Sequence, residues 1–547
     1  MTFTLLLSSL ALLTPQGVPV APPLDSALQG DDIRMEFVES GPSAAKIDAY
    51  MEKLRYHPLL RKSLRGANFR ILSFRMQALP AKPGLPSVYT TKFEAIGFNY
   101  TDNAAFRILG DAKDWDSIQF EAYNRQPIPS EEEFQAAVEI LTGDPQIGPL
   151  IKQGFVQPYR PMPPLLPAPW MDSSAERTLG VGLLPLNNSG ARHEIVGVIM
   201  SNQNILHFAG GAPPTSGAGR GSCNPPPSGG SSGYGNGELS INIIVRNQVM
   251  WSFRVVRPGA SSGQDGSGVE ILDVYYKGKK VLAQGHVPVL NVLYDNNVCG
   301  PYRDWQDQEH DFDATGRQIR SGFRLAYTPA QTLMEDGTDS GNFRGVAIYR
   351  EGSEVVLKSE IAAGWYRYMP EWRFHINGTI QALWGYDAVQ NSCTCRRHHH
   401  HAYWRLDFDI DGGDMDNIQQ YDHSATPRYS TLATEVKKYR DAPTWRHWLI
   451  SDSQTGDSYA LVPGDFLGRN DGIADNYARG DAWFLKYQPG QIDDGSGWGS
   501  EIRVDNYVNG ESLVDEDIVI WYGAHFTHED PYGMTVRNGP SLIPVSW

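Results

Sequence analysis

The chain has 547 residues, 41% of them hydrophobic and 11% aromatic, which is enough to bury a large core and more than one ordinary domain requires. Lysine and arginine number 47 against 63 aspartates and glutamates, a formal net charge of -16. That balance argues against binding a phosphate backbone and makes a cationic small molecule a better-matched ligand than an anionic one.

At the N-terminus an apolar run from Leu5 to Leu13, followed by Thr14-Pro15-Gln16-Gly17, reads as a signal peptide within a leader of residues 1–30. A secreted, extracellular protein is the expectation. The alternative is a disordered leader, since no lysine or arginine precedes Arg34. No other stretch is long enough to span a bilayer. Ala44 to Leu54 reads as a helix, Phe69 to Met76 alternates like a strand, and Pro80 to Pro86 breaks the chain, giving a small α+β domain over residues 31–84. Strands at Tyr89 to Phe98 and Ser117 to Tyr123, then a helix from Ser130 to Leu141 with Glu131, Glu132 and Glu133 in its first turn, repeat that pattern over residues 85–165.

The proline-rich Pro158 to Pro169 leads into residues 175–547, where strand-like segments are separated by Gly, Asn, Asp and Pro without a sustained helical period. A large antiparallel β-sandwich is expected there. Ala209 to Gly237 is rich in Gly, Pro and Ser and reads as a surface loop, with substrate gating as the other reading. Cys223, Cys299, Cys393 and Cys395 suit an oxidising compartment without choosing a pairing. Asn99-Tyr100-Thr101, Asn187-Asn188-Ser189 and Asn377-Gly378-Thr379 are glycosylation sequons.

The run His398-His399-His400-His401-Ala402-Tyr403-Trp404-Arg405-Leu406-Asp407-Phe408-Asp409-Ile410-Asp411-Gly412 carries the most chemistry. Its aromatic and aliphatic content predicts a strand, on which residues two apart share a face, so His398 and His400 can share one ion while His399 and His401 face the other way. Neutral imidazole suits copper, zinc, iron or nickel, whereas the carboxylates that follow suit calcium. A surface tract with adventitious metal affinity is the alternative for a bare run of four histidines, and the flanking sequence decides against it.

That flank resembles the HxHxxxxRLDxxxDG segment of the copper-containing amine oxidases. Asp517-Ile518-Val519-Ile520-Trp521-Tyr522, closing on Thr527-His528, is similar to that family's D-I-V-x-W-Y segment, and Ala482 to Gly490 to its L-W-V-T-x-Y-x-P-G strand. The resemblance implies copper on His398, His400 and His528, with His525 the other choice for the third ligand. It also implies a peripheral calcium on Asp407, the carbonyl of Phe408, Asp409, Asp517 and the carbonyl of Ile518, leaving Asp411, Asp414 and Asp416 as a solvated acidic turn. Trp365-Tyr366-Arg367-Tyr368, read back from the Asn377-Gly378 hairpin turn, lies over the family's N-Y-D-Y…G-T-I segment. Tyr366 thereby takes the position of the tyrosine that becomes topaquinone, while Trp365 and Arg367 replace the family's asparagine and acidic residue.

Phe312-Asp313-Ala314 resembles the F-D-A-G of the family's catalytic base, implying Asp313, although Asp304, Asp307 and Asp311 crowd the same stretch. Val292-Leu293-Tyr294-Asp295 is similar to V-P-Y-G, implying that Tyr294 hydrogen-bonds a quinone oxygen. By resemblance the fold is mainly β, a large antiparallel β-sandwich preceded by two small α+β domains, in a homodimer. The implied activity is oxidative deamination of a small primary amine by O2 to an aldehyde, ammonia and hydrogen peroxide. Trp365 and Arg367 keep a second reading open, a catalytically inactive extracellular protein that binds copper and calcium.

Overall fold

The computed structural model of the chain describes residues 12–13, 19–20, 32–78, 89–123, 127, 129–161, 165, 176–186, 194–207, 226–235, 237–261, 268–293, 308–389, 398–464, 478–488, 491 and 503–547 except 529–533. Most of the expected leader, the four cysteines, the middle sequon, Tyr294, Asp304 and Asp307 lie outside the described residues, as do the side chains of His398 and His528. No helix among the described residues is long and apolar enough to cross a membrane.

The helix Ala44–Arg55 begins where the Ser43 hydroxyl accepts a hydrogen bond from the backbone N–H of Lys46, a normal N-cap. With Pro58–Ser63 it covers an antiparallel sheet ordered Phe69–Ala78, Tyr89–Asn99, Ala104–Asp111, Asp114–Tyr123. Ile47, Leu54 and Leu60 meet Ile71, Phe74 and Phe93 in a core of their own. The boundary expected at 84/85 falls between two strands of this one sheet, because Phe69–Ala78 finds its ladder partner only in Tyr89–Asn99. The strand Ile33–Ser40, expected in the first small domain, instead pairs with Glu238–Val245 at the edge of a much larger sheet.

A second four-stranded sheet, Val156–Tyr159, Thr178–Pro185, Glu194–Ile199 and Ile205–His207, packs on the helix Glu131–Gly143 through Phe134, Ala137 and Leu141. It too crosses an expected boundary, the break between residues 165 and 175. The tie is ionic. Glu133, one of the three acidic residues of the helix's first turn, is fully buried and accepts from Arg177 Nε at 2.6 Å and Nη2 at 2.8 Å. Tyr100 donates to the same carboxylate at 2.7 Å, and Arg177 lies over the Phe98 ring.

Apart from the short pair Leu12–Leu13 and Pro19–Val20, the remaining described strands form a two-sheet sandwich that is antiparallel except where Phe323–Ala326 pairs with Val346–Glu351. One sheet runs Val436–Lys438, Ala482–Lys486, Ile518–His528, His398–Phe408, Lys279–Leu293, Glu270–Tyr276, Gln248–Val256, Glu238–Val245, Ile33–Ser40. The other is centred on Tyr366–His375 and Ile380–Ala388. Between them Phe253 stacks on Phe374 at 4.0 Å, and the indoles of Trp251 and Trp372 donate to the carbonyls of His375 and Val269. Part of the expected loop at 209–237 is ordered, since Ser232–Tyr234 pairs with Gln308–His310. The sequon residue Asn99 is buried, and its amide donates to Asp102 at 2.7 Å, which leaves no room for a glycan.

Removing one partner of the Glu133–Arg177 pair strands a buried charge. Arg177→Met is expected to lower unfolding free energy by about 3–5 kcal/mol, and the double variant Glu133→Leu/Arg177→Met by clearly less. Urea unfolding of the three proteins checks this, and equal losses in single and double variants would contradict it.

Candidate metal centre and quinone-precursor site

His398–Phe408 and Ile518–His528 pair antiparallel over their whole length, with position 398 opposite 528, His400 opposite Phe526 and His401 opposite His525. Cross-strand partners share a face, as do residues two apart on one strand. Positions 398, 400 and 528 therefore lie together on the face turned towards the other sheet, and His525 lies on the reverse face. The register alone sets His525 apart from that trio.

His400 is buried at 2% exposure and boxed in by three tyrosines. The Tyr386 ring stacks on it at 4.0 Å, the Tyr366 ring meets it edge-on at 4.6 Å, and Tyr368 Oη lies 2.9 Å from Nδ1. Tyr366 and Tyr368 come from one strand, and Tyr386 faces Tyr368 across the hairpin. Three imidazoles at positions 398, 400 and 528 would suit a copper ion, and with Nδ1 of His400 engaged by Tyr368 its ligand atom would be Nε2. None of the three tyrosines has a metal-ligand spacing. Only the spacing of 366 and 368, two apart on one strand, hinted that they share a face.

Trp365 and Arg367 alternate to the other side of the strand. Trp365 meets Tyr159 edge-on at 6.3 Å. Arg367 is buried and grips Asp339 with Nε at 2.6 Å and Nη2 at 3.0 Å, while Nη1 donates to the carbonyls of Gly364 and Tyr366. The guanidinium is thus committed away from the Tyr366 ring.

Behind it, His310 bridges Asp339 at 3.5 Å and Glu360 at 3.0 Å, a buried trio with ligand atoms within 4.8 Å of one another. Sequence reading missed this trio, whose members sit 29 and 21 residues apart in no motif. It has the donor types of a metal site, but backbone N–H groups of Gly229 and Leu333 and the Arg367 fork already satisfy its carboxylates. Burial pushes the Asp339 carboxyl up, yet Arg367 and His310 overcome it and hold it below the usual range.

A carboxylate that takes a proton from carbon works best when buried from water, and Asp313, the base that the F-D-A resemblance implies, is not buried. Asp313 is exposed, accepts a hydrogen bond from the backbone N–H of Asn342 at 3.2 Å and bridges to Gln331. No described contact joins it to Tyr366 or His400. Asp311 is half-buried and paired with Arg344 at 2.9 Å; burial raises its carboxyl, but Arg344 and Ser231 prevail and hold it low. Nothing in the F-D-A signature encodes solvent exposure, which depends on how the segment folds against Phe343 and Gln331.

At the opposite end of the same strand pair, Phe408 faces Ile518, and Asp407, Asp409 and Asp517 converge. Asp409 contacts Lys280, and Asp407 lies 3.4 Å from Arg405. Asp411 and Asp414 are exposed as expected, but Asp416 is fully buried, which corrects the view of it as part of a solvated turn. Its strand pairs with His447–Asp452, and its backbone bridges to Glu516, drawing the side chain inward. Burial first, then neighbouring carboxylates, pushes Asp517 up to about 7 and Asp416 up to about 8. Asp407 is pushed up to about 6 by burial, against the pull of Arg405. Like charges held together in this way fit a bound divalent cation.

An unfolded aspartate titrates near 3.9. From about pH 4 to about pH 8 these three groups hold more protons folded than unfolded, so their contribution to stability falls as pH rises through that window. Metal-free protein is expected to melt progressively lower across it, and calcium to flatten the slope. Melting temperatures in chelator and in calcium over that range check the expectation; identical profiles would remove the cation from this site.

The sequence matches no family model and no curated protein. Solved structures do match. A copper-containing benzylamine oxidase from Hansenula polymorpha aligns at TM-score 0.58 and 13% identity, covering 92% of this chain and 97% of that one. The lysyl oxidase of Pichia pastoris aligns at 0.54 and 10% identity over 98% of this chain and 92% of its own. An Aspergillus nidulans amine oxidase aligns at 0.50 and 12% identity over 98% and 90%. With nearly the whole of each chain covered, this protein has the fold of the copper-containing amine oxidases.

Proposed function

We propose that the chain is a copper- and topaquinone-dependent oxidase of small primary amines. The observation that carries this reading is the buried Tyr366 ring 4.6 Å from His400, on the sandwich face that holds positions 398 and 528. His398, His400 and His528 would hold copper, which supplies the oxygen chemistry that converts a neighbouring phenol into a quinone able to take electrons from an amine. The overall conversion balances as amine, O2 and water giving aldehyde, ammonia and hydrogen peroxide.

The chain's own residues supply position and proton transfer. Tyr368 and Tyr386 hold the His400 ring by a hydrogen bond and a stack. Arg367 clamps the backbone carbonyls of Gly364 and Tyr366, and so steadies the strand without touching the phenol. Removal of the proton from the amine's α-carbon needs a carboxylate. With Asp311 tied to Arg344, Asp313 is the better base of the two. Tyr294 keeps the role of hydrogen-bonding the quinone oxygen. Calcium on Asp407, Asp409, Asp517 and the carbonyls of Phe408 and Ile518 would staple the strands that carry the copper ligands. Secretion and a homodimer complete the reading.

The experiment is to load purified protein with copper in air and determine the mass of the peptide bearing Tyr366, its reaction with a carbonyl-trapping hydrazine, and peroxide release from primary amines. Oxygen gain and hydrogen loss at Tyr366 are expected, with about one copper per chain. His400→Ala should abolish both copper retention and the modification. An intact tyrosine in copper-loaded protein, with no peroxide from any amine, would leave the catalytically inactive copper- and calcium-binding reading in its place.

A further inference from the structure

We propose a second transition-metal site on the reverse face of the histidine strand, formed by His401 and His525 with His399 completing the ligand set, for a borderline-soft divalent ion such as zinc. It goes beyond the amine oxidase reading and does not depend on it. The register that gathers positions 398, 400 and 528 on one face gathers 399, 401 and 525 on the other. One trio has its cross-strand histidine opposite the first member of an i, i+2 pair, and the other opposite the second.

His401 and His525 are each 1% exposed, their ring centroids are 5.0 Å apart, and their Nδ1 atoms are 2.8 Å apart. Two imidazole nitrogens on one tetrahedral ion at ~2.0–2.1 Å stand about 3.3 Å apart, so a shift of roughly half an ångström turns this pair into two ligands. The far side of His525 is built as metal-binding imidazoles usually are. Its Nε2 lies 3.0 Å from the carbonyl of Gly480 and 3.3 Å from Asp481 Oδ1, so its proton belongs there and Nδ1 carries the lone pair aimed at His401.

Asp481 is itself held by Arg440, through the backbone N–H at 2.8 Å and Nε at 3.2 Å. Held in this way, the Asp481 carboxylate stands as an acceptor for the His525 imidazole N–H. His399 is half-buried on the same face with its ring centroid 6.4 Å from that of His401, outside ligand distance as the ring stands, and would join the ion by a side-chain rotation. Asn291 stands opposite His401 on the other neighbouring strand, so three buried polar residues, Asn291, His401 and His525, cross the sheet in one row. In an otherwise apolar layer of Tyr403, Trp483 and Trp521, such a row is costly unless it has a purpose. A simple hydrogen bond from His401 to His525 is the competing explanation.

The full-length chain, stripped by chelator and reloaded with zinc in calcium-containing buffer, separates the two after desalting and elemental analysis. About two zinc ions per chain are expected in the parent, and about one in either His525→Gln or His400→Ala, the latter reporting the first site independently. Asp481→Asn keeps the shape and should weaken zinc at the second site by about 10–100-fold, a change that a hydrogen-bonded imidazole pair would not show. Cobalt(II) in the His400→Ala protein should give the intense visible absorption of a tetrahedral site. A folded His400→Ala chain that holds no zinc, binding only at millimolar zinc, or undiminished zinc in folded His525→Gln or Asp481→Asn would overturn the proposal. If His525→Gln does not fold, the Asp481→Asn titration decides alone.

Discussion

Everything functional in this chain depends on the ladder between His398–Phe408 and Ile518–His528, two strands 110 residues apart whose eleven pairs run without a slip. A slip of one residue would send every side chain of one strand to the wrong face. What holds the register is burial on both sides. Ala402, Trp404, Leu406, Ile520 and Tyr522 fill the layer between the sheets, while Tyr403, Val519 and Trp521 fill the reverse side against Trp483. Because one end of the ladder carries the imidazoles and the other the aspartates, the same hydrogen bonds set the geometry of both clusters.

The second constraint is the hairpin that presents the phenol. Gly378 sits at φ +99°, and a Cβ there would meet the Tyr276 ring at 2.6 Å, so this turn accepts glycine and little else. The turn fixes the register of Tyr366–His375 on Ile380–Ala388, and strand alternation then divides the neighbourhood in two. Tyr366, Tyr368 and Tyr386 face His400; Trp365 and Arg367 face Tyr159 and Asp339. Arg367, next to Tyr366 in sequence, is therefore turned to the other side of the strand and bonded to Asp339.

The acidic surplus of the chain is handled differently at two buried places. Behind the precursor strand, Asp339 and Glu360 are met by Arg367, His310 and backbone N–H groups, and Asp339 stays an ordinary anion. At the foot of the histidine strand, Asp407, Asp416 and Asp517 are pushed upward by burial, with neighbouring carboxylates adding to it. The first place keeps its charge, whereas at the second the carboxyls hold their protons to higher pH.

Local pattern determined what a single strand or helix can show. The extents of the helices from Ala44 and Glu131, the histidine strand, the Asn377–Gly378 turn, the mainly β character and the i, i+2 pairing of His398 with His400 were all legible, because each is a matter of residues a few positions apart. The sequence left His525 and His528 as alternatives, and register, which exists only between strands, puts position 528 on the face of positions 398 and 400 and His525 on the reverse face. Register also carries sheets across the expected limits at 84/85 and 165/175, since Phe69–Ala78 and Thr178–Pro185 take partners from beyond the breaks that prolines suggest. Burial of Asp416, exposure of Asp313, the turning away of Arg367 and the meeting of His401 with His525 likewise depend on contacts between segments far apart in the chain. Residue type and spacing decided which chemistry this protein can hold, and strand pairing decided which of those residues share a face, because the side-chain direction of a strand has meaning only relative to its neighbours.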